Sequence, residues 1–304
     1  MTSFQDELSR HFDKPLVDIL KFARYASRRY KTYLIPKRTG GFRQISQPSA
    51  ELKKYQNFIK TKIFSKLKIH KAVYSYREQK NIHKMALEHK GAKFLLRIDF
   101  TDFFPSIQDK HLRHYFSNNK ELTMNDITLI NLLVFKANKL TIGAPSSPII
   151  SNFILYDLDE FLYTKSKELG IKYTRYADDL YFSTSEHTVL EKILPILRTF
   201  LKESFFIKLL INNKKTISTS KKQSQRITGL TLTTDNNITV GRKKKRYIKS
   251  LIFKYINKKI ELNDEKYLKG YLSYLYSIEP TYIKNLEEKY SKDIIKELLP
   301  IKIK

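Results

Sequence analysis

Cysteine is absent from all 304 residues. Disulfides and thiolate-held metals are therefore excluded. Long apolar runs are missing too, and no stretch approaches the ~20 residues that a membrane span needs. The opening residues, Met1 to Glu7, lack the basic and apolar regions of a signal peptide. These absences lead us to expect a soluble protein of the cytoplasm with no membrane partner. No internal repeat, heptad array or low-complexity linker appears. Acidic residues are scarce, 30 against 58 Lys and Arg, which gives a formal net charge of +28. That excess runs along the whole chain, whereas a solvated basic face would confine it to one helix. Phosphate polyanions are the natural partners, because neutralising them releases condensed counterions. An anionic membrane surface is the competing explanation.

What is present argues for a folded chain. Hydrophobic residues make up 41% and aromatics 13%, and the length allows one large unit or two to three subdomains. The 20 Tyr and 19 Phe offer possible stacking platforms for bases, although core packing accounts for most of them.

Two acidic sites organise the chain. In Tyr173-Thr174-Arg175-Tyr176-Ala177-Asp178-Asp179-Leu180-Tyr181-Phe182, strand-forming residues flank an Asp pair that suits a turn. This reads as a hairpin with both carboxylates exposed at its tip. A bare Asp-Asp pair is usually a solvated turn, but a second apolar strand, Phe94-Leu95-Leu96-Arg97-Ile98, ends at Asp99. Like charges so close would raise one carboxylate's pKa, and a divalent cation removes the conflict. Hard oxygen ligands point to Mg²⁺. Two such ions could clamp the attacking and leaving oxygens of phosphoryl transfer.

Tyr176-Ala177-Asp178-Asp179 resembles the catalytic box of reverse transcriptases, and Asp99 with Phe104 resembles their first metal-binding box. The resemblance implies Asp99, Asp178 and Asp179 as catalytic and metal-binding residues, with the Phe100 carbonyl as a further metal ligand. It places Asp102 on the triphosphate side and Phe104 against a ribose 2′-hydroxyl. Leu140-Thr141-Ile142-Gly143-Ala144-Pro145-Ser146-Ser147-Pro148 is similar to the family's Leu-Pro-Gln-Gly box. There Gly143 lets backbone approach the nucleotide, but Thr141 and Ile142 replace the usual Pro and Gln. Arg43 and, more loosely, Lys37 match the basic residues that hold the incoming nucleotide. Arg38 lies beside the same Gly40-Gly41 turn. Lys214 and Lys215 are both candidates for the Lys that protonates the leaving pyrophosphate. Arg226-Ile227-Thr228-Gly229 is similar to the Val-Thr-Gly triplet of retron enzymes. His89 is the polar residue retained from their Asn-Ala-x-x-His signature, with Met85 in the Asn position, and alone it is more often structural.

Helices are expected over 1 to about 30, from Ser49, from a Ser106–Asp109 capping box through Phe116, from Pro148 to Gly170, and from Val189 to Leu201 with a bend at Pro195. Strands are expected on either side of Gly40-Gly41 and over 207–216, the last with a basic turn. Three basic helices close the chain. The implied fold class is α+β, a right-hand polymerase: fingers over 1–92, a palm of antiparallel sheet backed by helices over 93–238, and a helical thumb over 239–304. In the thumb, Arg242, Lys243, Lys244, Lys245, Arg246 and Tyr247 are candidate RNA contacts.

The implied function is RNA-directed DNA polymerisation by a bacterial retron-type enzyme with two Mg²⁺ ions. The implied partners are a cognate noncoding RNA, serving as template and as 2′-hydroxyl primer, its DNA product, and a separate effector protein in antiphage defence. Another small reverse transcriptase, diversity-generating or group II intron-like, and a catalytically silent RNA-binding module are the alternatives.

Overall fold

Caps and breakers set the first helices. In the computed structural model, which describes residues 3–37, 40–117 and 121–299, Ser3 and Asp6 form a reciprocal capping box that opens α1 (Phe4–Phe12). The single helix expected to about residue 30 is instead two. Asp13 turns left-handed at φ 49° and ends α1, and Pro15 then precedes α2 (Leu16–Arg24). β1 (Tyr30–Pro36) and β2 (Phe42–Pro48) pair antiparallel. Gly40 and Gly41 in the connection both have positive φ; Arg38 falls outside the described residues. Ser49 caps α3 (Ala50–Lys62) by accepting from the Leu52 amide, and α3 buries Leu52, Tyr55 and Ile59. Asn81 caps α4 (Ile82–Glu88) in the same way.

β3 (Phe94–Thr101) continues two residues beyond the expected end at Asp99. The reason is pairing: Phe100 and Thr101 lie opposite Ile211 and Leu210. α5 (Phe103–Ser106) and α6 (Asp109–Phe116) follow. Ser106 does not cap α6, since its hydroxyl donates back to the Asp102 carbonyl; Gln108 and His111 form the capping box instead. α7 (Met124–Val134) precedes α8 (Ser147–Ile154), which has Pro148 in its first turn, and a break at Leu155 separates α8 from α9 (Tyr156–Glu168). β4 (Lys172–Tyr176) and β5 (Asp179–Thr184) form the expected hairpin. Past it, α10 (His187–Glu191) and α11 (Ile193–Glu203) break at Lys192. Pro195 falls in the first turn of α11, where a missing amide costs no helical hydrogen bond.

The strand expected over 207–216 shrinks to β6 (Leu210–Ile211), and the expected basic turn is a 3₁₀ turn over Asn213–Lys215. β7 (Ile217–Ser220), β8 (Gln225–Ile227), β9 (Leu230–Leu232) and β10 (Ile238–Thr239) follow. Thr228 and Gly229, both at positive φ, turn β8 back onto β9. Four closing helices replace the expected three: α12 (Arg242–Ile256), α13 (Leu262–Ile278), α14 (Pro280–Tyr290) and α15 (Lys292–Leu298). Ser291 at φ 98° divides the last two.

The main sheet runs β4-β5-β3-β6, with β7 also pairing β3, and β10-β9-β8 form a second sheet. The chain divides into two units, one of residues 1–78, 97–182 and 187–217 and the other of 79–96, 183–186 and 218–304. The first holds the acidic turn and a core that includes Phe100, Phe153, Leu158 and Leu180. In the second, α4 packs on β8, β9 and β10, and the four closing helices pack in succession. His89 is wholly buried there, its Nδ1 2.7 Å from Ser183 Oγ, a structural role. Among the described residues no helix is long and apolar enough to cross a membrane.

Candidate active site

A turn that carries charge needs a rigid seat, and a buried ion pair supplies it. Arg175, one residue before the end of β4, and Asp159, on α9, are both inaccessible to solvent. The guanidinium donates to the two carboxylate oxygens at 2.8 and 2.6 Å, and the Tyr173 hydroxyl adds a 2.7 Å bond. A third guanidinium nitrogen reaches the Ala177 carbonyl at 3.2 Å, while the Ser75 hydroxyl accepts from the Ala177 amide at 2.9 Å. Ala177 is thus held from both sides at φ 54°, a left-handed conformation costly for a residue with a Cβ. The strained residue immediately precedes Asp178.

β3 brings Asp99 to this turn. The Phe100 amide donates to the Asp178 carbonyl at 3.2 Å, and the Asn212 amide donates to the Asp99 carbonyl at 2.8 Å. The Asp99 side chain is 3% exposed and receives the Lys215 ammonium at 3.1 and 3.2 Å, one contact to each oxygen. Asp179 faces another cation: Arg97 Nε and Nη2 lie 2.9 and 2.8 Å from Asp179 Oδ1. The same Nη2 is 4.0 Å from Asp99. Burial raises the pKa of both hairpin carboxyls. For Asp179 it outweighs Arg97 and, together with repulsion from Asp178 and Asp99, pushes the value up to about 6. Asp178 is also raised by burial and by Asp99, against the opposing pull of its backbone hydrogen bond, Lys215 and Arg43.

Among the described residues no three carboxylate, His or Cys groups converge as a ready-made metal cluster. The donor chemistry nevertheless fits a hard divalent cation. Asp99 and Asp178 offer oxygen ligands, and the charge of Asp99 opposes ionisation of Asp178. The Arg97 pairing sets Asp179 apart from them.

The other expected residues divide in the same way. Arg43 lies close enough to Asp178 and Tyr76 for its charge to oppose the upward shift that burial gives both groups. Of the two Lys candidates, Lys215 reaches Asp99. Among the described residues no ion pair joins the Lys37 or Lys214 side chain to these carboxylates. Asp102 is exposed at φ 45° and precedes α5. Phe104 is half-buried, edge-on to Phe103 at 5.3 Å, and Phe103 in turn stacks on Phe100. Gly143 has a structural reason of its own: at φ 117°, a Cβ there would meet the Ser46 carbonyl at 2.8 Å. The Ser46 amide also donates to the Ile142 carbonyl at 2.8 Å.

Sequence reasoning passed over Arg97, Arg175, Asp159 and Tyr76. Arg97 and Arg175 each left a signal, a lone cation inside a run of strand-forming apolar residues. Nothing in the local pattern marked Asp159 or Tyr76.

In the second unit, the Arg242–Tyr247 run starts α12, and its residues do not share one fate. Lys245 turns inward to an ion pair with Glu279 and lies over the Tyr282 ring at 4.2 Å. Arg242, Lys243, Lys244, Arg246 and Tyr247 stay exposed. Tyr247, Tyr267, Tyr271 and Tyr274 form a ladder with successive ring centroids 5.8, 5.6 and 5.5 Å apart. Lys244 sits over two of these rings at 5.6 and 5.5 Å.

Two strand-borne acidic sites, a left-handed turn and attendant cations describe a nucleotidyl-transfer centre, and the comparison with known families agrees. Residues 35–232 match the family described as reverse transcriptase (RNA-dependent DNA polymerase), and the chain belongs to it. Its class is the right-hand polymerase fold, α+β, with metal-dependent chemistry. The chain is 37% identical to the retron Ec83 reverse transcriptase of Escherichia coli, over 93% of this chain and 94% of that one. Identity to the retron Ec73 enzyme of the same organism is 34% over 87% and 88% of the two chains. For the retron Ec86 enzyme, also from that organism, it is 31% over 91% and 88%. This is an RNA-directed DNA polymerase of the retron type.

Proposed function

We propose that the chain copies part of one cognate noncoding RNA, priming from the 2′-hydroxyl of an internal guanosine. Its product is then a branched, RNA-linked single-stranded DNA. The observation that carries the catalytic reading is the meeting of Asp99 with the Asp178 turn beneath Lys215. Asp99 and Asp178, with the Phe100 carbonyl, are the residues that would hold Mg²⁺, two ions being the expected number. When bound, the ions lower the pKa of the attacking hydroxyl and neutralise charge on the leaving group.

The chain's own residues do the rest. Arg97 orients Asp179 and offsets its charge, and Asp102 lies on the triphosphate side. Arg43, with Lys37, meets the triphosphate of the incoming nucleotide. Lys215, rather than Lys214, stands where a proton can be given to departing pyrophosphate. Phe104 blocks the ribose 2′ position, and Gly143 keeps the Ile142 loop against β2. We assign residues 1–92 to fingers, 93–238 to palm and 239–304 to thumb.

Recognition of one RNA needs more than phosphate contacts, which carry no sequence information. The tyrosine ladder beside Arg242, Lys243, Lys244 and Arg246 suits the unpaired bases of a loop. A separate effector protein and a role in antiphage defence belong to the same reading. The test is to sequence RNA and DNA that copurify with the chain. One RNA species joined through a 2′ branch to DNA supports the reading, and a mixed, unbranched population overturns it.

A further inference from the structure

The outer stripe of α3 is built differently from its core stripe. Lys54, Asn57, Phe58, Thr61 and Lys62 recur at helical spacing. With the end of α1 they line a cleft of about 390 Å³, in the size range of small-ligand sites. Its aromatic floor is continuous: His11 lies 4.5 Å from the Phe58 ring centroid, and Phe12 lies 5.7 Å from it. Phe12 is itself braced on Tyr55 at 4.3 Å. The left-handed Asp13 stops α1 immediately after Phe12, so the aromatic pair ends the helix at the cleft's edge.

The rim is basic and has no acidic lining residue. Glu51, one turn before the stripe, is taken up by Lys14 at 2.6 Å. Among the described residues Lys54 and Lys62 therefore have no acidic partner, and Lys62 lies 6.0 Å over the Phe58 ring. The Asn57 amide and Thr61 hydroxyl are exposed and able to pair with a base edge. Aromatic floor, polar edge and cationic rim together match the parts of an unpaired nucleotide: base face, base edge and phosphate.

We propose that this cleft binds one unpaired nucleotide of an RNA strand, its base stacked on Phe12 with the His11 ring, at 84° to Phe12, against the base edge, and its phosphates on Lys54 and Lys62. The site shares no residue with the carboxylate centre or the tyrosine ladder, and it rests on the RNA partner proposed above.

The test uses the full chain and a short unstructured RNA that carries 2-aminopurine, whose fluorescence is quenched by stacking. The wild type should quench the probe. Asn57→Glu, an exposed substitution outside the core, should weaken binding at fixed salt by about fivefold or more, the low end for losing one stacked base. Phe12→Leu should remove the quenching. Replacing Lys54 and Lys62 together with Gln should flatten the slope of log affinity against log salt by about 1.4, two single-strand phosphates at about 0.7 each. Asn57→Glu and the Lys54, Lys62 variant should keep the wild-type Tm, and all variants should extend a preformed primer–template normally. That last measurement separates failure of this site from failure of the polymerase reading. An unquenched probe, an Asn57→Glu affinity equal to wild type, or equal saturation by a free mononucleotide would overturn the proposal.

Discussion

Asp179 has the most perturbed environment of the acidic trio, with a pKa pushed up to about 6 by burial and neighbouring carboxylates. In the unfolded chain an Asp titrates near about 4. The folded form therefore holds the proton more tightly, and stability falls as pH rises from about 4 through about 6. At neutral pH the ionised group is a net cost. Asp179→Asn, which keeps an acceptor for Arg97, should raise Tm at pH 7 with a chelator present. The gain should shrink towards pH 4, and thermal melts across that range would show it. A constant offset at every pH would mean that the charge is already compensated. Asp99→Asn and Asp178→Asn are expected to behave differently. Each should lower primer extension by on the order of a hundredfold or more, the several kcal/mol of a lost metal ligand, while filter binding of RNA stays within about twofold. Phe104→Ala should raise the ratio of ribonucleotide to deoxynucleotide incorporation. If the ratio holds in a folded, active variant, the ring serves only to pack on Phe103.

At the scale of elements, the Arg175–Asp159 pair is the part of the site with the sharpest structural consequence. Removing one member leaves a buried charge without its partner, a loss of about 3–5 kcal/mol. Arg175→Met should therefore cut stability sharply in urea melts, and Arg175→Met with Asp159→Leu should recover much of it. If the Ala177 turn depends on the Arg175 contact to its carbonyl, the stable double variant will still extend primers poorly. Full activity in that variant would reduce the pair to packing. The elements also show what the sequence could and could not tell. The acidic hairpin, the Gly40-Gly41 turn and the Ser49 cap were readable because each is a local signal. Asp13 ends α1 through one left-handed φ, which apolar periodicity does not register, while the breaks at Leu155 and Lys192 fall at residues of negative φ inside an apolar pattern that runs straight through them. Asp99 was identified from its strand, but Lys215 could be chosen over Lys214 only once the 3₁₀ turn had set which side chain points back. Arg175 stands out in the sequence as a cation within a strand, but its role does not, because its partner lies 16 positions away, on another element.

For the whole molecule, the +28 charge sets the terms of RNA binding. Affinity should fall steeply with salt, each phosphate contact contributing about 0.7 to 0.9 to the logarithmic slope. Not every cation takes part. Lys245 is committed to Glu279 and Tyr282, so Lys245→Ala should lower Tm while leaving the slope almost unchanged. Lys244→Ala should reduce the slope and spare Tm. The reverse pattern would overturn the assignment of inward and outward cations on α12.

The contact between Gly143 and Ser46 bears on any attempt to build chimaeras from this protein and its relatives. With a 2.8 Å limit at the Cβ position and a 2.8 Å hydrogen bond one residue away, the loop before α8 and the strand that carries Arg43 form a matched pair of parts. A hairpin transplanted alone would meet a loop shaped for a different backbone. Exchanged together, the two should carry their geometry into the new host, and a grafted nucleotide pocket would need the pair as its smallest transferable piece.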